Sequence, residues 1–312
     1  MEIRQLKTTA QERVAASRFD AKKLALLFTG IAVAVSFLIT LVSFLLSRQI
    51  EGTGGLGGIG TRTILSAARL LILIGGTLIM PFWNLGYTQA ALDTARDGSA
   101  TPKTLLEGFR LFFPAVRLFL LQAALLSVIS MVAVQAGTIL YMLSPVSTVA
   151  MTVVEEMLAG GEAALADPAA MEQLVSLFWP MYVIIAIVLL VVMTPVMYRL
   201  RLTEFYLVDG MERALQNMVT SNLRMRGNCL WMFKLDISFW WYFLLQGLAA
   251  ALAYGDVLVG GGDVAYWVFY LLSACAQIAV GWAFLPRVQT SYALAYETLA
   301  KEDIQPEPAR EA

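Results

Sequence analysis

The chain of 312 residues contains no histidine, so the commonest general base and the commonest transition-metal ligand are both missing. It contains only two cysteines, Cys229 and Cys275, and their spacing does not suit a metal site. Cys229 lies at the edge of an apolar run and Cys275 well inside another, so we expect no disulfide between them. The sequence therefore predicts no catalytic residue, no metal and no cofactor, and it argues against an enzyme.

Charged residues are also scarce. They make up 14% of the chain, whereas hydrophobic residues make up 59% and the formal net charge is −1. A soluble domain usually carries about 25% charged residues. No basic patch with interleaved aromatic residues is present, so nucleic acid is not expected as a partner. This composition is typical of an integral membrane protein.

Long apolar runs account for most of the chain. A helix needs about 20 apolar residues to cross the hydrocarbon core of a bilayer. Six runs of this kind occur at about residues 24–46, 64–92, 118–142, 177–198, 237–254 and 264–285. We therefore predict an all-α polytopic membrane protein with six transmembrane helices in a single domain of residues 1–301. Residues 302–312 are polar and are predicted to form a disordered tail.

The distribution of lysine and arginine predicts the topology. Of the 22 basic residues, 19 lie in the N-terminal segment, the connectors after the second and fourth runs, and the C-terminal segment. Only Arg48, Arg62 and Arg69 lie at the other side. The positive-inside rule then places both termini in the cytoplasm. The outer loop of residues 144–176 has no basic residue and is expected to form two short helices separated at Gly160 and Gly161.

Short amphipathic helices are predicted on the cytoplasmic side, and the clearest covers residues 211–225. Its apolar residues recur at helical spacing, with Leu215 among them, while Asn217 falls on the polar side. We expect the apolar face to lie on lipid or on the returning spans, so that Leu215→Asp destabilises the protein. The adjacent Arg213, Arg224 and Arg226 are predicted to contact anionic lipid head groups or a partner.

A cluster of charged residues surrounds this helix. Three of its members follow the fourth run, and two precede the fifth. The cluster contains Arg201, Glu204, Asp209, Lys234 and Asp236. One interpretation is an interfacial ion-pair network that orients the amphipathic helix. The other is a site for an anionic lipid head group or a small substrate.

Three prolines, Pro81, Pro195 and Pro286, lie near the inner ends of the three returning runs and predict helix kinks there. Each proline belongs to a similar series, which consists of an amphipathic segment, an outgoing span and a returning span with the proline near its inner end. The pattern is consistent with three parallel helix-hairpin repeats. It is also consistent with independent recurrence, because the prolines are unevenly spaced.

Over nearly its full length the chain resembles a family of bacterial membrane proteins, the domain-of-unknown-function 975 family. The matching residues are Ile3–Lys7, Ala10, Leu85, Gly86, Arg96–Gly98, Leu105–Phe109, Leu207, Asp209, Ala214, Ser221–Met225, Gly227, Asn228, Phe233, Leu235, Ser238–Trp240, Tyr292, Ala295 and Tyr296. The resemblance implies a six-pass protein of the bacterial plasma membrane. It implies no activity.

Two classes of function are compatible with these features. The first is a non-catalytic membrane component, either an accessory or assembly subunit or a lipid-interacting scaffold, with membrane lipid or another membrane or cytoplasmic protein as its partner. The second is a small-molecule transporter or permease. A transporter needs polar residues converging near the midplane, and only Gln122, Gln135, Gln246 and Gln277 are candidates. The scarcity of such residues favours the first class.

Overall fold

The computed structural model describes residues 2–17, 19–52, 59–96, 98–159, 168–210, 213–260 and 262–301. All regular elements within these ranges are helices, which confirms the all-α prediction. The predicted tail of residues 302–312 lies outside them. The helices are α1 Ile3–Ala16, α2 Ala21–Gly52, α3 Ile59–Arg96, α4 Thr104–Arg110, α5 Phe112–Met142, α6 Pro145–Ala159, α7 Pro168–Arg199, α8 Thr203–Val208, α9 Ala214–Met225, α10 Cys229–Ile237, α11 Trp240–Ala251, a 3₁₀ turn Leu252–Tyr254, α12 Gly255–Val259 and α13 Asp263–Lys301.

Five of the described helices are long and apolar enough to cross a membrane, namely α2, α3, α5, α7 and α13. In the most apolar stretch of each, at most 17% of the residues are buried. Leu71, Leu120 and Leu190 expose 69, 65 and 69% of their surface. Apolar surface on this scale is stable in lipid but not in water. The chain is therefore an integral, multi-pass membrane protein.

The fifth predicted span, residues 237–254, is not one straight helix. Helices α10 and α11 meet at an angle of 64°, so the number of spans is five, or six if this bent pair is one span. The break lies at Ser238 and Phe239, whose backbone N–H groups bond to Lys234 and Asp236 in a closing turn. The Ser238 carbonyl, left without a helical partner, accepts a hydrogen bond from Lys7 of α1 at 2.9 Å. A contact from a distant helix therefore stabilises the break.

The three prolines predicted to kink helices all lie inside continuous helices. Pro81 is in α3, Pro195 is in α7 together with Pro180, and Pro286 is in α13. None of these helices ends at its proline, and α13 continues for 15 residues beyond Pro286, to Lys301. The bend at each proline stays a prediction.

The chain divides into two compact units, and the single domain of residues 1–301 stays a prediction. Unit 1 comprises Met1–Ala115 and Leu202–Ala312, and unit 2 comprises Val116–Arg201. In unit 1, the helices α2, α3 and α13 pack on one another, and α11 packs on α13. Trp83 and Tyr87 of α3 lie in the core and stack with Phe28 of α2, and the Trp83 indole donates to the Phe28 carbonyl at 3.0 Å.

Three short helices of unit 1 pack on a long helix or on another short helix. Helix α1 packs on α13, α4 on α3, and α9 on α8, while α8 also contacts α3. In α1 the buried residues are Leu6 and Ala10, which lie four residues apart on one face of the helix. The contact of α4 with α3 is so close that Gly86 and Gly108 lie backbone to backbone. We call this part of unit 1, formed by α1, α4, α8, α9 and α10, the short-helix end.

Unit 2 consists of most of α5 together with α6 and α7. Helix α6 packs on α7, and the Tyr141 hydroxyl of α5 donates to the Leu177 carbonyl of α7 at 3.1 Å. Helix α6 confirms the first of the two short helices predicted for residues 144–176. Residues from Pro168 onward belong to α7, and the start of the second predicted helix lies outside the described residues. Gly160 and Gly161 lie outside the described residues.

Candidate functional site

The carboxylate of Asp209, which directly follows α8, has two polar partners at the short-helix end. It pairs with Arg96 Nη1 at 2.7 Å and accepts a hydrogen bond from the Tyr296 hydroxyl at 2.8 Å. Arg96 is the last residue of α3, and Tyr296 lies in α13. One carboxylate therefore joins the ends of three helices that are distant in sequence.

Arg96 adds a second link to α13 and connects α1 to the same point. Its Nε donates to Glu297 Oε1 of α13 at 2.5 Å, and its backbone carbonyl accepts a hydrogen bond from Arg13 of α1 at 3.0 Å. Burial alone would raise the pKa of the Asp209 carboxyl. The hydrogen bonds from Arg96 and Tyr296, with the charge of Arg96, instead hold that pKa below its usual value. Asp209 is thus held in its charged form by its partners.

A second aspartate bonds to α13, one helical turn before Tyr296. Asp236 of α10 accepts a hydrogen bond from the Tyr292 hydroxyl, and Tyr292 lies four residues before Tyr296 on one face of α13. The Tyr296 ring also stacks on Phe205 of α8, with 5.4 Å between ring centroids. Helices α8 and α10 are therefore both tied to α13 through an aspartate–tyrosine pair. We call Arg96, Asp209, Asp236, Tyr292, Tyr296 and Glu297 the tyrosine–aspartate network.

The predicted charge cluster is only partly the observed one. Asp209 and Asp236 both belong to the tyrosine–aspartate network, but the cation that meets Asp209 is Arg96. Lys234 lies on the exposed side of α10, Glu204 is half-buried in α8, and Arg201 belongs to unit 2. The predicted cluster did not include Arg96, the cation from α3 that pairs with Asp209.

Four members of the network were not predicted as site residues: Arg96, Tyr292, Tyr296 and Glu297. Three of them carried a signal, because Arg96, Tyr292 and Tyr296 belong to the family resemblance. Tyr292 and Tyr296 are also four residues apart, which places both hydroxyls on one face of a helix. No pattern in the sequence pointed to Glu297.

Helix α9 exposes apolar residues of the face that was predicted to lie on lipid or on the returning spans. Leu215, Val219 and Leu223 form a stripe at four-residue spacing and expose 65, 49 and 48% of their surface. The side of α9 that packs on the protein instead carries Ala214, Asn217, Met218, Ser221 and Met225. The Ser221 hydroxyl accepts a hydrogen bond from the Leu202 amide at 3.2 Å. The prediction that Asn217 lies on the side of the helix opposite the packed face was wrong, because Asn217 is fully buried at the packed face.

The three arginines predicted to contact lipid or a partner lie in and around α9. Arg213 precedes the helix and Arg226 follows it, and both are exposed. Arg224 is half-buried, and its side chain lies near the Tyr206 hydroxyl without forming a hydrogen bond of normal geometry. Exposed cations therefore flank both ends of the exposed apolar stripe.

In the described ranges, no group of three or more His, Cys, Asp or Glu side chains could hold a metal ion. Cys229 and Cys275 are both free, and the Cys229 thiol donates to the Met225 carbonyl. Comparison with family models, with curated proteins and with solved structures finds no match to this chain.

Proposed function

We propose that this protein is a non-catalytic component of the bacterial plasma membrane, either an accessory or assembly subunit or a lipid-interacting scaffold. It crosses the membrane six times, α10 and α11 together forming the fifth span, and both termini lie in the cytoplasm. It belongs to the family that it resembles in sequence. The tyrosine–aspartate network and the three arginines around α9 then lie at the inner surface of the membrane.

The tyrosine–aspartate network is the observation that carries this proposal. Its charged and hydroxyl groups bond to one another and thereby join α3, α8, α10 and α13. A catalytic site would need a nucleophile beside a base, with room for a substrate. Here the carboxylates are occupied by arginine and tyrosine partners, which suits a structural role. The network orients the short helices on the inner membrane surface.

With the short helices oriented in this way, α9 is the helix that contacts the membrane. Its stripe of Leu215, Val219 and Leu223 inserts below the head groups, and the arginines at its ends meet anionic phosphates. The packed side of α9 fixes the direction of the stripe. Lipid is the favoured occupant because an apolar stripe between exposed cations matches the layering of an anionic leaflet.

A transporter is the second candidate, and the break between α10 and α11 favours it, because broken helices line many transport sites. The break lies at Ser238, near the start of the predicted span, rather than at the midplane. Of the two midplane glutamine candidates in unit 1, Gln277 donates to Ser273 of its own helix, whereas the Gln246 Oε1 is buried with no hydrogen-bond partner. One buried amide is too little to form a polar pathway.

Native mass spectrometry of the purified protein with equal amounts of phosphatidylglycerol and phosphatidylcholine tests the proposal. We expect preferential adducts with the anionic lipid, and a reduced preference when Arg213, Arg224 and Arg226 are all replaced by glutamine. Arg69→Gln, also exposed but on the other predicted side, is the control and should leave the preference unchanged. An unchanged preference in the triple variant would contradict lipid binding by α9 and would favour a protein partner there.

A further inference from the structure

A second feature of unit 1 is a cavity of about 660 Å³ between α1, the α10–α11 break and α13. Its volume is in the range of ligand sites, which is about 300–1,000 Å³. Helix α1 contributes Arg4 and Lys7 to its wall, and α13 contributes Arg287. Among the described residues of its wall there is no aspartate or glutamate. The cavity is therefore cationic.

The two arginines are available for a ligand. Within the described residues, neither Arg4 nor Arg287 forms an ion pair, and both side chains are exposed to the cavity and its mouth. Lys7 is held in place by its hydrogen bond to the Ser238 carbonyl and by the Phe239 ring, 4.5 Å from its Nζ. Two free guanidinium groups beside a fixed ammonium are suited to a phosphate group, which arginine binds through paired hydrogen bonds.

The rest of the wall is aromatic and apolar. Trp241, Tyr242 and Phe284 line it, and Trp241 stacks on Trp240 with 3.9 Å between ring centroids. The cavity also lies where an apolar run meets charge, because the predicted span 264–285 ends two residues before Arg287. Aromatic residues concentrate at this depth of a membrane, between acyl chains and head groups. The cavity thus combines a cationic part with an apolar part.

We propose that this cavity binds one anionic phospholipid, with its phosphate on Arg4, Lys7 and Arg287 and its acyl chains along Trp241 and Phe284. The lipid would connect α1 to α11 and α13, next to the break that Lys7 stabilises. The site is separate from the arginines around α9. It rests on the proposed membrane role, because only a protein embedded in lipid presents the cavity to head groups.

The test measures binding of three probes to the full chain in a neutral detergent: dioctanoyl phosphatidylglycerol, dioctanoyl phosphatidylcholine and glycerol 3-phosphate. The main variant is Arg4→Gln with Arg287→Gln. Arg69→Gln with Arg110→Gln is the matched control, because it removes the same charge from exposed positions that do not line the cavity and lie outside α9. Arg4→Lys with Arg287→Lys retains the charge, and Trp241→Ala removes the aromatic wall.

We expect phosphatidylglycerol to bind more tightly than either other probe. Loss of the two cavity arginines should weaken it by about tenfold or more, while the matched control changes it less than about twofold. The lysine variant should retain most of the affinity, and Trp241→Ala should weaken the lipid but not glycerol 3-phosphate. If the double glutamine variant is unstable, Arg4→Gln alone, at an exposed position, replaces it.

Three results would overturn the assignment. An equal loss in the matched control would show diffuse surface attraction instead of a site. Unchanged phosphatidylglycerol binding without Arg4 and Arg287 would place the lipid elsewhere. Glycerol 3-phosphate binding as tightly as the lipid, insensitive to Trp241→Ala, would make this a site for a soluble phosphate. The proposed function has a different test, the lipid preference of the α9 triple variant. A failure of the cavity site can therefore be distinguished from a failure of the proposed function.

Discussion

At the residue scale, the charged groups of unit 1 act mainly by pairing across long sequence distances. Arg96 meets both Asp209 and Glu297, and the side chains of this group are 15–40% exposed. Solvent screens pairs of this kind, so the energy of each contact is modest. Their importance lies in geometry, because one arginine determines how the ends of α3 and α13 and the residue after α8 meet.

Arg96→Gln should lower the melting temperature in detergent, because it leaves Asp209 and Glu297 without their shared cation. A double-mutant cycle with Asp209→Asn should give a coupling energy of about 1 kcal/mol for this partly exposed pair. Arg110→Gln is the matched control, since Arg110 is exposed and forms no ion pair within the described residues. An equal effect of the two arginine variants would contradict a specific pairing.

The lowered pKa of Asp209 makes stability depend on pH in a defined direction. The folded state holds the Asp209 proton more weakly than the unfolded state, whose aspartate pKa is about 3.9. The stabilisation is therefore fully present above about pH 4 and is lost as the pH falls through the lower, folded-state pKa. Melting temperatures of the wild type and of Asp209→Asn should differ at pH 7 and converge at acidic pH. A constant difference would rule out this linkage.

At the element scale, two helices cross without room for a side chain. A Cβ on Gly86 would overlap the Leu105 carbonyl oxygen, and a Cβ on Gly108 would overlap the Phe82 carbonyl oxygen. Backbone atoms cannot move aside as flexible side chains do, so either alanine must force α4 away from α3. The two glycines therefore allow α4 to pack this closely against α3.

Gly86→Ala and Gly108→Ala should each lower the melting temperature in detergent by several degrees. Gly75→Ala in the same helix α3 is the control, because its added Cβ meets nothing within 4 Å. There, alanine should be neutral or stabilise the helix by up to about 1 kcal/mol. Similar losses at all three positions would show that the crossing is not specific.

In helix α9, the residues that stabilise the fold differ from those that are exposed at the surface. Leu215 is mostly exposed, so Leu215→Asp should leave the melting temperature in detergent nearly unchanged, contrary to the expectation from its helical spacing. Met225 is fully buried, and Met225→Ala should cost about 2–5 kcal/mol. In liposome flotation or lipid-adduct measurements, Leu215→Asp should nevertheless weaken contact with the bilayer. If it unfolds the protein, the stripe is covered by other parts of the chain.

At the scale of the whole molecule, the proposed topology places most lysines and arginines on the cytoplasmic side of the membrane. Single cysteines at Gly57, Glu162 and Gly261, which lie outside the described residues, should react with an impermeant reagent added to intact cells. Cysteines at Lys103 and Arg213 should react only after permeabilisation. The background lacks Cys229 and Cys275, whose thiols are both free. Labelling of Lys103 or Arg213 positions in intact cells would refute the topology.

The sequence by itself determined the helical class, the membrane environment and most helix positions. These depend on local properties: the length of an apolar run, the spacing of Leu6 and Ala10, and the places where polar residues interrupt the runs. Each can be read within a window of about 20 residues. A proline such as Pro81 could be located in the same way, although its effect on the helix could not.

Only the tertiary structure decided which groups meet. Asp209 and Tyr296 are 87 residues apart, and Lys7 and Ser238 are 231 apart, so no local pattern connects them. The direction in which α9 points was also decided by packing. Hydrophobic spacing marks an apolar face, but the side that meets the protein carries Asn217 and Ser221 as well as Met225. A buried helix face is selected by the shape and hydrogen-bonding groups of its partner, and those come from distant parts of the chain.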